Sequence, residues 1–153
     1  MTTIATATLP ESVQLPQYDR SQLRSRIVHF GFGAFHRAHQ ALLTDRVLNA
    51  SGGDWGICEI SLFSGDRLMS QLRQQDHLFT VLLRGVQNGQ PTQSKRLVSC
   101  VTDTLNPYTQ WDAMLATMQD PALRFVVSNT TEAGIAYVAE PLVDSKCPAN
   151  FPA

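Results

Sequence analysis

Arg26-Ile27-Val28-His29-Phe30-Gly31-Phe32-Gly33-Ala34-Phe35-His36-Arg37-Ala38-His39-Gln40 runs an apolar strand into two glycines and then at once into a helical pattern. A chain built this way brings its backbone up against a phosphate. Gly31 can take a tight turn that residues with a Cβ resist. Gly33 leaves room for a pyrophosphate against the main chain. The free N–H groups and positive dipole end of the following helix face the anion. The dinucleotide fingerprint carries a third glycine where helix and strand pack closely, and His36 stands there instead. The glycines alone are therefore equally compatible with an ordinary strand-to-helix turn.

The elements on either side extend the pattern. Trp55 to Phe63 reads as a second buried strand, so the two strands and the helix from Ala34 to about Asn49 form a βαβ unit with a right-handed crossover. A short helix follows from Gly65 to about Gln74. Leu78 to Val86 and Ser94 to Val101 are strand-like around Asn88-Gly89, a pair that favours a hairpin turn. Asn106-Pro107 reads as a helix start, and Trp111, Met114, Leu115 and Met118 follow as a core-facing stripe. Arg124 to Ser128 is the next strand, with Phe125, Val126 and Val127 expected to be buried. The fold class is α/β, a Rossmann-like parallel sheet with an inserted β-hairpin. Residues 1–25 read as an extended N-terminal arm and 26–153 as a dinucleotide-binding domain.

Composition narrows the partners. The 153 residues are 43% hydrophobic with a formal net charge of −1, which suits one soluble domain and offers no polybasic surface to nucleic acid or an anionic membrane. No apolar stretch approaches the roughly 20 residues of a membrane helix. Residues 1–16 lack the basic start and apolar core of a secretory signal, so a cytoplasmic location is expected. Cys58, Cys100 and Cys147 lack metal-ligand spacing and read as reduced core thiols. The sequence leaves the oligomeric state open.

Gly-Phe-Gly-Ala-Phe-His-Arg-Ala-His-Gln-Ala, from Gly31, resembles the start of the long-chain polyol and hexuronate dehydrogenases, which include mannitol 2-dehydrogenase, fructuronate reductase and tagaturonate reductase. Asp54-Trp55-Gly56-Ile57-Cys58-Glu59, Leu78-Phe79-Thr80-Val81 and Val127-Ser128-Asn129-Thr130-Thr131-Glu132-Ala133-Gly134 resemble later segments of that family. Up to about His77 the text is similar to the fructuronate and mannitol branch, and from about Phe79 to the tagaturonate branch. The substrate therefore stays open among mannitol/fructose, mannonate/fructuronate and altronate/tagaturonate types. The resemblance implies NAD as cofactor, a small-molecule polyol or hexuronate as substrate, and an NAD-dependent oxidoreductase acting on CH–OH.

Three stretches can meet a ligand beyond the carboxyl ends of the strands. In the first, Gly31, Gly33, Ala34, Phe35, His36 and Arg37 are candidates for the pyrophosphate. Arg37 can add its guanidinium to backbone contacts there or stand as a solvated surface residue. His36 and His39 are three apart, a spacing that can suit a metal, but with no third ligand evident they read as packing or capping groups and no metal is expected. In the second stretch a carboxylate holds the adenosine ribose. Glu59 lies inside the predicted strand and Asp66 just past it, so Asp66 is better placed, and the resemblance puts it at the family's NAD-selecting acid. Arg67 beside it suits a 2′-phosphate, and a helix N-cap is the plainer role for Asp66. In the third, the small polar residues from Ser128 to Glu132 suit a loop cap nearly as well as a ligand site, and by resemblance Asn129 and Thr130 lie beside the nicotinamide with Glu132 on the substrate side.

Hydride transfer from an alcohol also needs a base. By resemblance that base is a lysine with asparagine and histidine partners in a helical C-terminal domain. Lys95 and Lys146 lack that context. No catalytic residue is assigned here, and the chain reads as the cofactor half of a longer enzyme, inactive by itself. A non-catalytic nucleotide-binding remnant is an alternative. A SAM-dependent methyltransferase is another, although His29 and Phe30 stand where that class usually carries an acid before its glycines.

Overall fold

The computed structural model describes residues 8–61 and 67–129. Its centre is a four-stranded, all-parallel sheet formed by β2 (Arg24–Phe30), β3 (Trp55–Ile60), β6 (Val101–Leu105) and β7 (Phe125–Ser128), in the order β6-β3-β2-β7. A second sheet holds β1 (Val13–Gln14) and the hairpin strands β4 (Phe79–Gln87) and β5 (Gln90–Val98), in the order β1-β5-β4. The hairpin closes at Asn88 and Gly89, whose φ values of 52° and 75° are those of a type I′ turn. The expected fold class, with its inserted hairpin, is the one observed.

Alternation along the strands divides the core. Ile27 and Ile57 face the helical segment after β2, together with Ala41, Leu42 and Leu48. Val28, Cys58 and Ile60 face the opposite side, where Met114 of α4 (Trp111–Gln119) packs with Leu105. The helical segment is not one regular helix. It consists of α1 (Ala34–His36), a π-helical stretch Arg37–Ala41 and α2 (Leu42–Ser51). The buried Cys100 thiol donates to the Ala41 carbonyl at 3.2 Å, within that stretch. The following helix, α3 (Arg67–Gln74), buries Met69 and Leu72 and leaves Leu68 at the surface.

Three expectations are corrected. The hairpin's return strand stops at Val98, and Val101–Leu105 is a separate strand of the parallel sheet. Only Ser99 and Cys100 divide them, both buried and with no glycine or proline between the two strands, so the sequence offers little break to read. Asn106-Pro107 begins a turn rather than a helix. Gln110 N–H bonds the Asn106 carbonyl, Tyr108 N–H bonds the Asn106 side chain, and α4 starts only at Trp111. Phe125 and Val126 are 54% and 53% exposed. Their strand is an edge among the described residues, so a near-continuous apolar run is half uncovered. The N-terminal arm is pinned as well as extended. Val13 and Gln14 pair with Lys95 and Arg96, and the Tyr18 hydroxyl donates to Asp45 at 2.6 Å.

Candidate functional site

Strand order reverses between β2 and β7, and in open parallel sheets ligands bind in the crevice beyond the carboxyl ends at such a point. Phe30 and Ser128 are register partners there, so the Gly31 turn and Asn129 leave the sheet side by side. Asn129 is exposed. Thr130 and Glu132 lie outside the described residues, as do Asp66 and Cys147.

The glycines divide their labour. Gly31 has φ 89°, a conformation that penalises any side chain, and its N–H donates to the Ile60 carbonyl at 2.9 Å. Phe32 is buried and meets Phe79 edge-on, with centroids 5.5 Å apart. Gly33 then takes the N-cap position with φ −73° and ψ 166°, angles open to any residue. A Cβ built on Gly33 meets nothing within 4 Å. The backbone does not require this glycine, and neither does internal packing. What its bareness preserves is open space in front of a helix N-terminus.

That N-terminus has no side-chain cap at Gly33. First-turn N–H groups have no acceptor inside their own helix, so those of Ala34, Phe35 and His36 stand ready for an anion. Arg37 is held beside them. Its guanidinium carbon lies 5.3 Å from the Phe32 ring centroid, and its Nε donates to the Gly33 carbonyl at 3.4 Å. The side chains of Phe35 and His36 offer no group to an anion at this turn. Phe35 is 65% exposed, stacks on His39, and lines an apolar groove with Leu43, Val47, Trp55 and Phe125. His36 is fully buried against the sheet, so the only group it can offer an anion is its backbone N–H.

His36 and His39, read from the sequence as packing or capping groups, face different surroundings: His36 is buried, whereas His39 Nδ1 lies 2.8 Å from the Phe35 carbonyl. His36 joins two strand residues that sequence spacing does not connect. Its Nε2 lies 2.6 Å from Glu59 Oε1, and the other carboxylate oxygen lies 3.1 Å from His29 Nδ1. The two imidazoles stack with centroids 3.6 Å apart. The donor set could suit a metal ion, since all three ligand atoms fall within 4.8 Å. The 2.6 Å contact has the length of a hydrogen bond. Two ligands around a tetrahedral zinc stand roughly 3.3 Å apart. The cluster is therefore a hydrogen-bonded one, and the buried Glu59 is unavailable to a ribose.

A polar pocket of about 260 Å³ opens beyond β3 and β6. Ser61, Ser70, Arg73, Asn106, Thr109 and Gln110 line it. Ser61 N–H bonds the Leu105 carbonyl, which joins the two strand ends beneath it. Arg73 is anchored by donating through Nε to Thr104 Oγ1 at 2.7 Å. The sequence reading missed these residues. The one signal available was their position just past strands β3 and β6, and the second of those strands was itself unrecognised.

The matches to known proteins agree with this geometry. Residues 25–150 match the model of the mannitol dehydrogenase Rossmann domain. Over 137 residues the chain is 58% identical to the uncharacterized oxidoreductase YeiQ of Escherichia coli and 42% identical to D-mannonate oxidoreductase of the same organism. Each of these alignments covers 88% of this chain and 27% of the relative. Among solved structures, Pseudomonas fluorescens mannitol 2-dehydrogenase in a ternary complex with NAD and D-mannitol superposes with a TM-score of 0.71. It is 34% identical, over 78% of this chain and 24% of that one. A substrate-free D-sorbitol dehydrogenase superposes with a TM-score of 0.75 at 31% identity, over 88% of this chain and 28% of that one. The chain thus spans about a quarter of the length of the proteins it matches. It belongs to the mannitol dehydrogenase family, as that family's Rossmann domain.

Proposed function

We propose that this chain is the NAD(H)-binding domain of an oxidoreductase that interconverts a sugar alcohol or aldonate and its keto form. The observation that carries the reading is Gly33, bare where neither backbone angle nor packing calls for it, in front of an uncapped helix N-terminus. The likeness to a mannitol 2-dehydrogenase solved with NAD and D-mannitol supports the choice of ligand.

In this reading the N–H groups of Ala34, Phe35 and His36 hold the pyrophosphate, and Arg37 adds a charge-assisted contact. The pocket beyond β3 and β6 takes the adenosine end, with Asp66 holding the ribose hydroxyls and repelling a 2′-phosphate. Asn129 and Thr130 orient the nicotinamide, and Glu132 stands on the substrate side. Bound there, the dinucleotide supplies the hydride acceptor or donor. The proton-transferring base lies outside the residues assigned here. The substrate is a small six-carbon polyol or hexuronate derivative, and the protein works in the cytoplasm. No helix among the described residues is long and apolar enough to cross a membrane.

Calorimetric titration with NADH, NADPH and S-adenosylmethionine tests this. NADH is expected to bind more tightly than NADPH, and Asp66→Ala is expected to erase the difference. Binding of S-adenosylmethionine without NADH would overturn the assignment, and equal NADH and NADPH affinities in the unmutated chain would remove Asp66 from it.

A further inference from the structure

The residue that replaces the third fingerprint glycine is tied to the neighbouring strand by a buried carboxylate. We propose that Glu59 is a positioning residue for the pyrophosphate turn and acts through His36. The inference rests on the NAD(H) reading above.

In the usual arrangement a glycine at this position lets helix and strand touch directly, and contact fixes the height of the helix start. An imidazole fills that space here. His36 is the last residue of α1, which is only three residues long and leads into the π-helical stretch. One regular bond, from Arg37 N–H to the Gly33 carbonyl at 3.1 Å, closes the first turn before the ladder becomes irregular. A second hold comes from below. His29 and Glu59 are register partners on adjacent parallel strands, so their side chains rise from the same sheet face. His36 Nε2 pairs with Oε1 and His29 Nδ1 with Oε2, so one carboxyl group bridges both rings. Gln40 meets the remaining His36 nitrogen at 3.2 Å from one helical turn on. All three members of the cluster are 1% exposed or less.

A carboxylate with no solvent exposure and two imidazole partners is costly unless its geometry is kept, so the cluster admits few arrangements. Each of them fixes where the first-turn N–H groups point. Moving Glu59 moves the anion cradle while leaving the polar pocket beyond β3 and β6 in place. None of the pocket's lining residues belongs to the cluster.

The test is NADH fluorescence titration of the 153-residue chain and of Glu59→Gln, His36→Gln and the double variant. ADP and adenosine serve as competitors, and thermal melts report folding. Glu59→Gln is expected to weaken NADH and ADP about tenfold, the effect of one disturbed buried hydrogen bond. Adenosine, which has no pyrophosphate, is expected to compete as before. In the His36→Gln background the Glu59 change is expected to add less than about twofold, because residues acting through one another are not additive. Wild-type affinity in folded Glu59→Gln overturns the proposal. So does an equal loss of adenosine, or effects that multiply in the double variant. Should Glu59→Gln not fold, His36→Gln decides alone, since it leaves Glu59 with His29, and wild-type NADH affinity there is equally fatal. An unmutated chain that does not bind NADH defeats the functional reading instead.

Discussion

Gly31 hangs from Ile60: its N–H donates to the Ile60 carbonyl at 2.9 Å, so the turn after β2 is suspended from the end of β3. The bond holds Gly31 at φ 89°, whereas Gly33, two residues on, sits at an unremarkable φ of −73°. Substitutions at the two glycines should therefore fail differently. Gly31→Ala is expected to cost about 1–2 kcal/mol of stability, the penalty of forcing a Cβ into the left-handed region. Gly33→Val is expected to cost about 1 kcal/mol as a poorer N-cap, yet to abolish NADH binding by filling the open space. Urea unfolding alongside NADH titration separates them. A folded Gly33→Val chain that binds normally would make this glycine merely a cap.

The parts of the fold that were legible in the sequence are those with local physical causes. The β2 strand, the turn at Gly31 and the Asn88-Gly89 hairpin each follow from residues next to one another. The parts that were not legible depend on neighbours distant in sequence. Val101–Leu105 is a strand because it pairs with β3, and nothing at Ser99 or Cys100 announces the change of sheet. Phe125 is as apolar as Ile57, but among the described residues only Ile57 lies in a strand with partners on both sides. At the site, a spacing of three suggested His36 with His39, whereas the partners of His36 come from positions 29 and 59. Sheet register makes that cluster, and one sequence read by spacing does not contain it.

Asp45 is fully buried on α2 and joins three parts of the chain. Its Oδ1 accepts from Tyr18 Oη at 2.6 Å and from Ser99 N–H at 3.2 Å. Its Oδ2 accepts from Asn49 at 3.1 Å and from Arg96 at 3.4 Å. Burial, and secondarily this carboxylate, push the Tyr18 phenol well above its ordinary range. Asp45→Ala removes an acceptor shared by four donors and is expected to cost about 3 kcal/mol, against about 1 kcal/mol for Tyr18→Phe. Denaturant unfolding measures both. A loss under about 1 kcal/mol for Asp45→Ala would mean that arm and hairpin are held by apolar contacts alone.

Cysteine reactivity should follow burial. Burial, reinforced by Asp103 and then Glu59, pushes the Cys58 thiol up to about 12, and burial also raises Cys100. Thiolate is the reacting form, so both are expected to be inert to a thiol reagent at pH 8 and to react once denaturant is added. The measurement belongs in a Cys147→Ser background, which leaves only these two. Prompt modification of the native chain would contradict the burial of Cys58 in β3 and of Cys100 between β5 and β6.

His77 gives stability a pH dependence of fixed sign. Burial lowers its pKa from the ordinary value of 6.5, and Arg20 and Arg73 push the same way against Asp103 and Asp76. The folded chain thus favours the neutral ring more than the unfolded chain does. The stabilisation is complete above the unfolded value and is lost as pH falls from there through the folded pKa. His77 has φ 59°, so asparagine, which tolerates that region, is the substitution that removes the titration with least strain. Its Nε2 lies 3.4 Å from Thr104 Oγ1, a long contact whose loss should matter little. Melting temperatures from pH 8 to pH 5 are expected to fall more steeply for the unmutated chain than for His77→Asn, the curves separating below about 6.5. Parallel curves would show that His77 takes its proton equally well folded and unfolded, and that the acid sensitivity of the chain arises elsewhere.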